Sequence, residues 1–275
     1  MIRKPLKKLQ ARTSTDGDGV SLQRWGLLER SDGDPFLLID EFRLAQGDPS
    51  QGFPEHPHRG FETITLMKSG GISHRDHMGH HSRIGADEVQ WMTAGSGVIH
   101  EEIPDTSSES VHGFQLWLNL PREDKWIEPA YQELKQDQIP VLEHEGVTLR
   151  LLAGSHEGMN TAIQRPKLKL KLMDVSLAPG AKLELPIPQS QLLWLQYQGS
   201  SRSAGIEIQN GELCFYSPGE QIEIQAGGNS EVKGLLLAAE PLKEPLVHYG
   251  PFVMNSRDEI EQALNDYQTG RLVRS

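Results

Sequence analysis

The feature that most restricts how this chain can fold is a series of short alternating runs, each closed by a turn signal. VHGFQLWLNL (111–120) puts Phe114, Leu116, Leu118 and Leu120 on one face and Gln115, Trp117 and Asn119 on the other, the period of two that a strand imposes. LKLKLMDVSL (168–177), QLLWLQYQG (191–199), GELCFYS (211–217) and VKGLLLAAE (232–240) are further strand-like runs. Asn210-Gly211, between IEIQ and ELCFY, predicts a hairpin. Many short strands at near-regular spacing predict an all-β sandwich or barrel. The 27 glycines and 17 prolines supply the turns this needs.

A chain of 275 residues is comfortable for two domains. Pro121 to Pro140 carries prolines among charged residues without sustained periodicity, and reads as a connector. The strand-rich halves on either side hint at a duplicated unit. The tail SRDEIEQALNDYQTGRL differs: Ile260, Ala263, Leu264 and Tyr267 follow helical spacing. Ser256 with Glu259 forms a capping box, and Gly270 marks a stop. One amphipathic helix is expected, its apolar face packed back on the first domain.

The net charge of −11 argues against direct nucleic-acid binding. The basic clusters Arg3–Lys8 and Lys167–Lys171 are short, and in the second the lysines alternate with leucines, predicting a strand with one wet face. The single cysteine, Cys214, allows no internal disulfide and suits a reducing compartment. MIRKPLKKLQ lacks the apolar core of a signal peptide, and no apolar run reaches the roughly 18 residues of a membrane span. A cytoplasmic protein is expected.

The histidines carry the chemistry. His56 and His58, in EHPHRGFET, are i and i+2; on a strand they share a face, about 7 Å apart. Two imidazoles so placed can converge on one ion at about 2.1 Å. His100 and Glu102, in GVIHEEIP, repeat the device, with Glu101 turned the other way. If the two strands lie side by side, four ligand groups meet at one point. The small-residue turn TAGSG (93–97) would let the backbone turn tightly beneath them. His74, His77, His80 and His81 crowd the polar stretch SHRDHMGHHS. This is expected to be a loop or hairpin end near the barrel mouth, with His80 or His81 the candidate to reach the pocket. Glu62 is expected to be structural, and His112 is given no role.

FPEHPHRGFETIT, then DEVQWMTAGSGVIHEE, then HGFQLWLNLP, with the tail EPLVHYGPFVMNSRDEIEQALNDYQTGRL, resemble the pirin family of bicupins over essentially the whole chain. The resemblance implies an all-β fold of two cupin barrels (double-stranded β-helix, jelly-roll) facing each other. The expected division is 1–130, metal-binding, and 141–275, metal-free with the terminal helix. The resemblance implies metal ligands at His56, His58, His100 and Glu102. The second half offers His144, His156 and His248 but no H-x-H.

A set of three imidazoles and one carboxylate suits one divalent metal, iron(II) first, with nickel, manganese, cobalt, copper or zinc as alternatives. Four protein ligands leave two positions of an octahedral ion open. The resemblance implies quercetin 2,3-dioxygenase chemistry on a flavonol and dioxygen, with Glu102 also the catalytic base. Phe53, Trp91 and Met92 are candidates for an apolar pocket wall. The alternative is an iron-dependent regulator whose redox state controls binding to a protein partner, without turnover; the acidic balance would suit a basic partner.

Overall fold

The computed structural model describes residues 1–45, 51–105, 110–163 and 168–273. Lys167, in the expected alternation of lysine and leucine, lies outside them. The chain divides into two compact units, one of Met1–Ala11 with Asp137–Pro241, the other of Arg12–Gln136 with Leu242–Ser275. The expected boundaries, 1–130 and 141–275, differ from this division at both ends of the chain. The physical reason lies in strand pairing: β1 (Pro5–Gln10) is an edge strand on Glu212–Tyr216, with Leu9 opposite Leu213. The buried guanidinium of Arg3 ties this end down by donating to the carbonyls of Ile187, Gln189, Ser190 and Gly219.

The unit that carries the clustered histidines is built from β2 (Arg12–Asp16), β3 (Val20–Gly26), β4 (Phe36–Ala45), β5 (Phe53–His58), β6 (Phe61–Ser69), β7 (Gly71–Asp76), β8 (His81–Gly85), β9 (Val89–Thr93), β10 (Val98–Pro104), β11 (Ser110–Asn119) and β12 (Ala130–Leu134). They form a seven-stranded sheet, β12-β9-β6-β11-β4-β3-β2, and a four-stranded sheet, β5-β10-β7-β8, all antiparallel. Residues of both sheets meet in one core cluster, with Leu22, Phe42, Met67 and Val111 from the larger and Ile72 and Ile84 from the smaller. The other unit has the same plan, one seven-stranded and one four-stranded sheet around a core that includes Leu151, Val175, Leu185, Trp194 and Ile222. Both units are cupins in architecture.

Three local expectations are corrected. The presumed connector contains β12, which pairs with β9 and completes the larger sheet; an edge strand is held by backbone bonds and needs no strict alternation. Asn210-Gly211 is a turn, with Gly211 at φ +81°, but it joins strands of different sheets. Ile206–Ile208 pairs instead with Ser201–Ser203. In Leu170–Leu177 both faces are covered, and Lys171 is buried rather than solvated.

The C-terminal helix α1 (Arg257–Gln268) begins as its sequence dictates. Ser256 Oγ accepts from the Glu259 N–H, and Glu259 Oε2 accepts in return from the Asn255 N–H. Ile260 and Ala263 are buried in a cluster with Phe252, Met254 and Leu272. No described helix is long and apolar enough to cross a membrane.

Lys125 fixes the tail's approach to the histidine-bearing loop. The residue is 1% exposed, and its Nζ donates to Gly60 O (2.7 Å), Asn119 Oδ1 (2.8 Å) and Val253 O (2.9 Å). Lys125→Met would leave three buried acceptors unpaired, at a cost of about 3 kcal/mol or more. Denaturant unfolding should register this as a clear drop in midpoint; a change below about 1 kcal/mol would contradict it.

Candidate metal centre

The site is made by the register of β5 against β10. His56 stands directly opposite His100, and His58 opposite Val98. The two-residue period then turns His56 and His58 to the face that His100 occupies. The metal-ligating atoms of His56, His58 and His100 lie within 4.8 Å of one another. His56 Nε2 and His58 Nε2 are 3.1 Å apart. The His56 and His100 rings are separated by 4.3 Å between centroids, and those of His58 and His100 by 5.0 Å.

Glycines with no alternative hold the turns beside this cluster. Gly60, between β5 and β6, has φ +88°, and a Cβ there would sit 2.0 Å from Val253 O. In the TAGSG turn, Gly95 has φ +49°, and a Cβ would meet Ile127 O at 2.1 Å. Both positions therefore exclude a side chain.

His58 and His100 are almost fully buried. Burial drives the His58 imidazole well below its ordinary pKa, and the neighbouring His56 adds to the effect. His100 is likewise well depressed, first by burial, then by His58, His56 and His74. The rings are therefore neutral, the form that offers lone pairs to a metal. His56 directs Nδ1 at Pro54 O (2.8 Å), leaving Nε2 free for the cluster. His100 Nε2 is buried without a hydrogen-bond partner. A buried lone pair among other neutral imidazoles is the environment a divalent cation satisfies, so the residues fit such an ion.

Glu102 follows on β10 after a register shift and is not a member of the three-imidazole group. Its buried carboxylate accepts from Gln115 Nε2 (2.8 Å) and Thr65 Oγ1 (3.3 Å). Glu101 turns away and pairs with Arg75 at 2.8 Å. Glu62 is fully buried and accepts from Thr93 Oγ1 at 2.6 Å. His112 pairs with Glu41 at 2.8 Å, away from the cluster. The SHRDHMGHHS stretch is the β7–β8 hairpin. Its residue in contact with the site is His74, whose Nε2 is 2.8 Å from His100 Nδ1, and not His80 or His81. Its place at the site follows from the pairing of β7 with β10, which the local sequence does not signal.

A cavity of about 560 Å³ opens onto His56 and His58. Leu22, Leu38, Phe42, Phe53 and Trp117 give it apolar walls, and Arg24, Asp40 and Gln115 are polar points on them. Arg24 is held by both oxygens of Asp40 (2.8 and 2.7 Å). Phe53 is thus a wall residue as expected. Trp91 and Met92 are not; both are buried in β9 and absent from the lining.

The buried imidazoles set a pH dependence on the metal-free protein. Unfolded histidines take up protons near pH 6.5, while His58 and His100 resist protonation in the fold. Below that pH the unfolded state binds more protons, so stability present above about 6.5 is lost as the pH falls. Denaturation in chelator at about pH 7.5 and about pH 5.5 should show the midpoint dropping; equal midpoints would contradict the assignment.

Comparison with known proteins agrees with this construction. Residues 20–118 match the pirin family model, and residues 172–273 match that of the pirin C-terminal cupin domain. A pirin-like protein of Solanum lycopersicum is 40% identical over 97% of this chain and 91% of its own. The crystal structure of quercetin 2,3-dioxygenase from Acinetobacter baumannii superposes with a TM-score of 0.92 at 31% identity, covering 99% of each chain. The bacterial pirin YhhW of Escherichia coli, solved in complex with nickel(II), shares the fold at a TM-score of 0.65 and 20% identity, over 84% of this chain and 95% of that one. With both halves matched in order and the imidazole cluster inside the first, this chain belongs to the pirin family.

Proposed function

We propose that this protein is a metal-dependent dioxygenase of flavonol-like molecules, acting at a mononuclear centre ligated by His56, His58, His100 and Glu102. The observation that carries the reading is a cavity with apolar walls that ends on two of three clustered imidazoles. Its volume of about 560 Å³ suits a drug-sized aromatic molecule. The likeness to a quercetin 2,3-dioxygenase structure supports the same substrate class.

Iron(II) is the metal this reading puts first, since imidazole and carboxylate ligands suit it; nickel, manganese, cobalt, copper and zinc fit the same ligands. When bound, the metal supplies a Lewis acid for the substrate's ionised hydroxyl and a site for dioxygen. Phe42, Phe53 and Trp117 would hold the ring system flat and exclude water. Arg24 and Asp40 would meet its polar end. Glu102, kept in place by Gln115 and Thr65, would take the proton of the 3-hydroxyl. The two oxygen atoms of dioxygen would end on C2 and C4 as the bonds from C3 to both break, and C3 would leave with its own oxygen as carbon monoxide. A reducing cytoplasm belongs to this reading, consistent with the lone, buried Cys214.

Two measurements test it. Elemental analysis should find metal sharply reduced in His56→Ala and His100→Ala, and near-stoichiometric metal in both would remove the ligand assignment. Iron-loaded protein mixed with quercetin in air should bleach the flavonol absorbance. His58→Ala should abolish the reaction, and Glu102→Gln should slow it by about 100-fold or more. No turnover with any of the six metals would overturn the enzymatic reading in favour of the regulator that binds a protein partner.

A further inference from the structure

We propose that His74 is the positioning residue for His100, setting which ring nitrogen His100 presents to the metal. The inference rests on the metal-centre reading above and adds a residue outside its ligand set. β7 runs antiparallel to β10 with His74 opposite Glu102 and Asp76 opposite His100. His74 is fully buried, and its Nε2 meets His100 Nδ1 at 2.8 Å. Between two neutral imidazoles at that distance, one nitrogen carries the proton and the other accepts it.

Only one of the two arrangements suits a metal. If His100 Nδ1–H donates to His74, the lone pair of His100 stays on Nε2, the buried atom that lacks a protein partner. If His74 donated instead, His100 would carry its proton on Nε2 and could not ligate there. The His74 ring thus accepts through Nε2 and keeps its own proton on Nδ1. Packing holds that ring in place. Tyr131 stands edge-on to it at 5.1 Å, and His80 stacks on Tyr131 at 4.4 Å and 14°. His80 Nε2 in turn lies 3.7 Å from Glu133 Oε1. Tyr131 and Glu133 both come from β12, so the supposed connector braces the back of the site.

The test is a calorimetric titration with cobalt(II) alone, together with the visible ligand-field spectrum of the cobalt-loaded protein. His74→Leu should weaken cobalt binding about 10- to 100-fold and alter the spectrum. His74→Gln, whose amide oxygen can accept the same proton, should recover most of the affinity and the native spectrum. Wild-type affinity and spectrum in His74→Leu, with binding lost in His100→Ala, would overturn the positioning role alone. A His74→Gln variant that is folded by circular dichroism yet as weak as His74→Leu would also overturn it. Unchanged binding in His100→Ala would instead bring down the metal-centre reading on which the inference stands.

Discussion

The pairing of Phe53–His58 with Val98–Pro104 is the constraint on which everything else depends. A slip of one residue between those strands would turn His56 and His58 to the opposite face. The turns at Gly60 and Gly95 oppose such a slip, because each approaches another segment so closely that only a bare Cα fits. The result is three imidazoles gathered at one point, of which His58 and His100 are buried and uncharged. Such a gathering has little to recommend it as packing, since ring nitrogens buried without partners weaken a fold. It becomes favourable when a cation shares their lone pairs, and the protein maintains the arrangement in advance of that event.

The same scaffold without this chemistry is visible in the other unit. There the strand in the position of β5 is Lys182–Pro186 and the one in the position of β10 is Gln221–Ala226. Leu183 faces Ile224, and Leu185 faces Ile222, all four buried. Aliphatic side chains stand at the positions that imidazoles take in the histidine-bearing unit, and they join their own unit's hydrophobic core. The difference between a candidate metal centre and a structural barrel comes down to a few inward positions on two strands. Among the described residues, the one potential metal-holding group is that of His56, His58 and His100.

Much of this was legible in the sequence, because strand alternation and helix caps are local. The i, i+2 spacing of His56 with His58 and of His100 with Glu102 states which side chains share a face, and the Ser256–Glu259 box states where the helix starts. Less legible was whatever depends on distant partners. β12 gives little periodic signal because it is held along one edge. Lys171 reads as solvated until both faces of its strand are seen to be covered. The contribution of His74 depends on β7 lying beside β10, which no spacing within SHRDHMGHHS reveals. Trp91 has the bulk of a pocket wall, yet β9 turns it into the core, while Trp117 on β11 lines the cavity.

Arg59, the residue after His58, has a longer reach than its neighbours. Its guanidinium donates to Ser96 O, to Asp266 Oδ2 at 2.8 Å and to Leu272 O at 3.2 Å, so α1 and the residues after it clamp the loop that follows the two clustered histidines. His248, Gly250 and Pro251 line the cavity as well. On the ribosome, where domains generally fold as their residues emerge, this order of assembly is inverted. The strands bearing His56, His58 and His100 are made well before the segment after Pro241 that holds them. The barrel begun first is thus completed only after the Asp137–Pro241 segment of the other unit has been made.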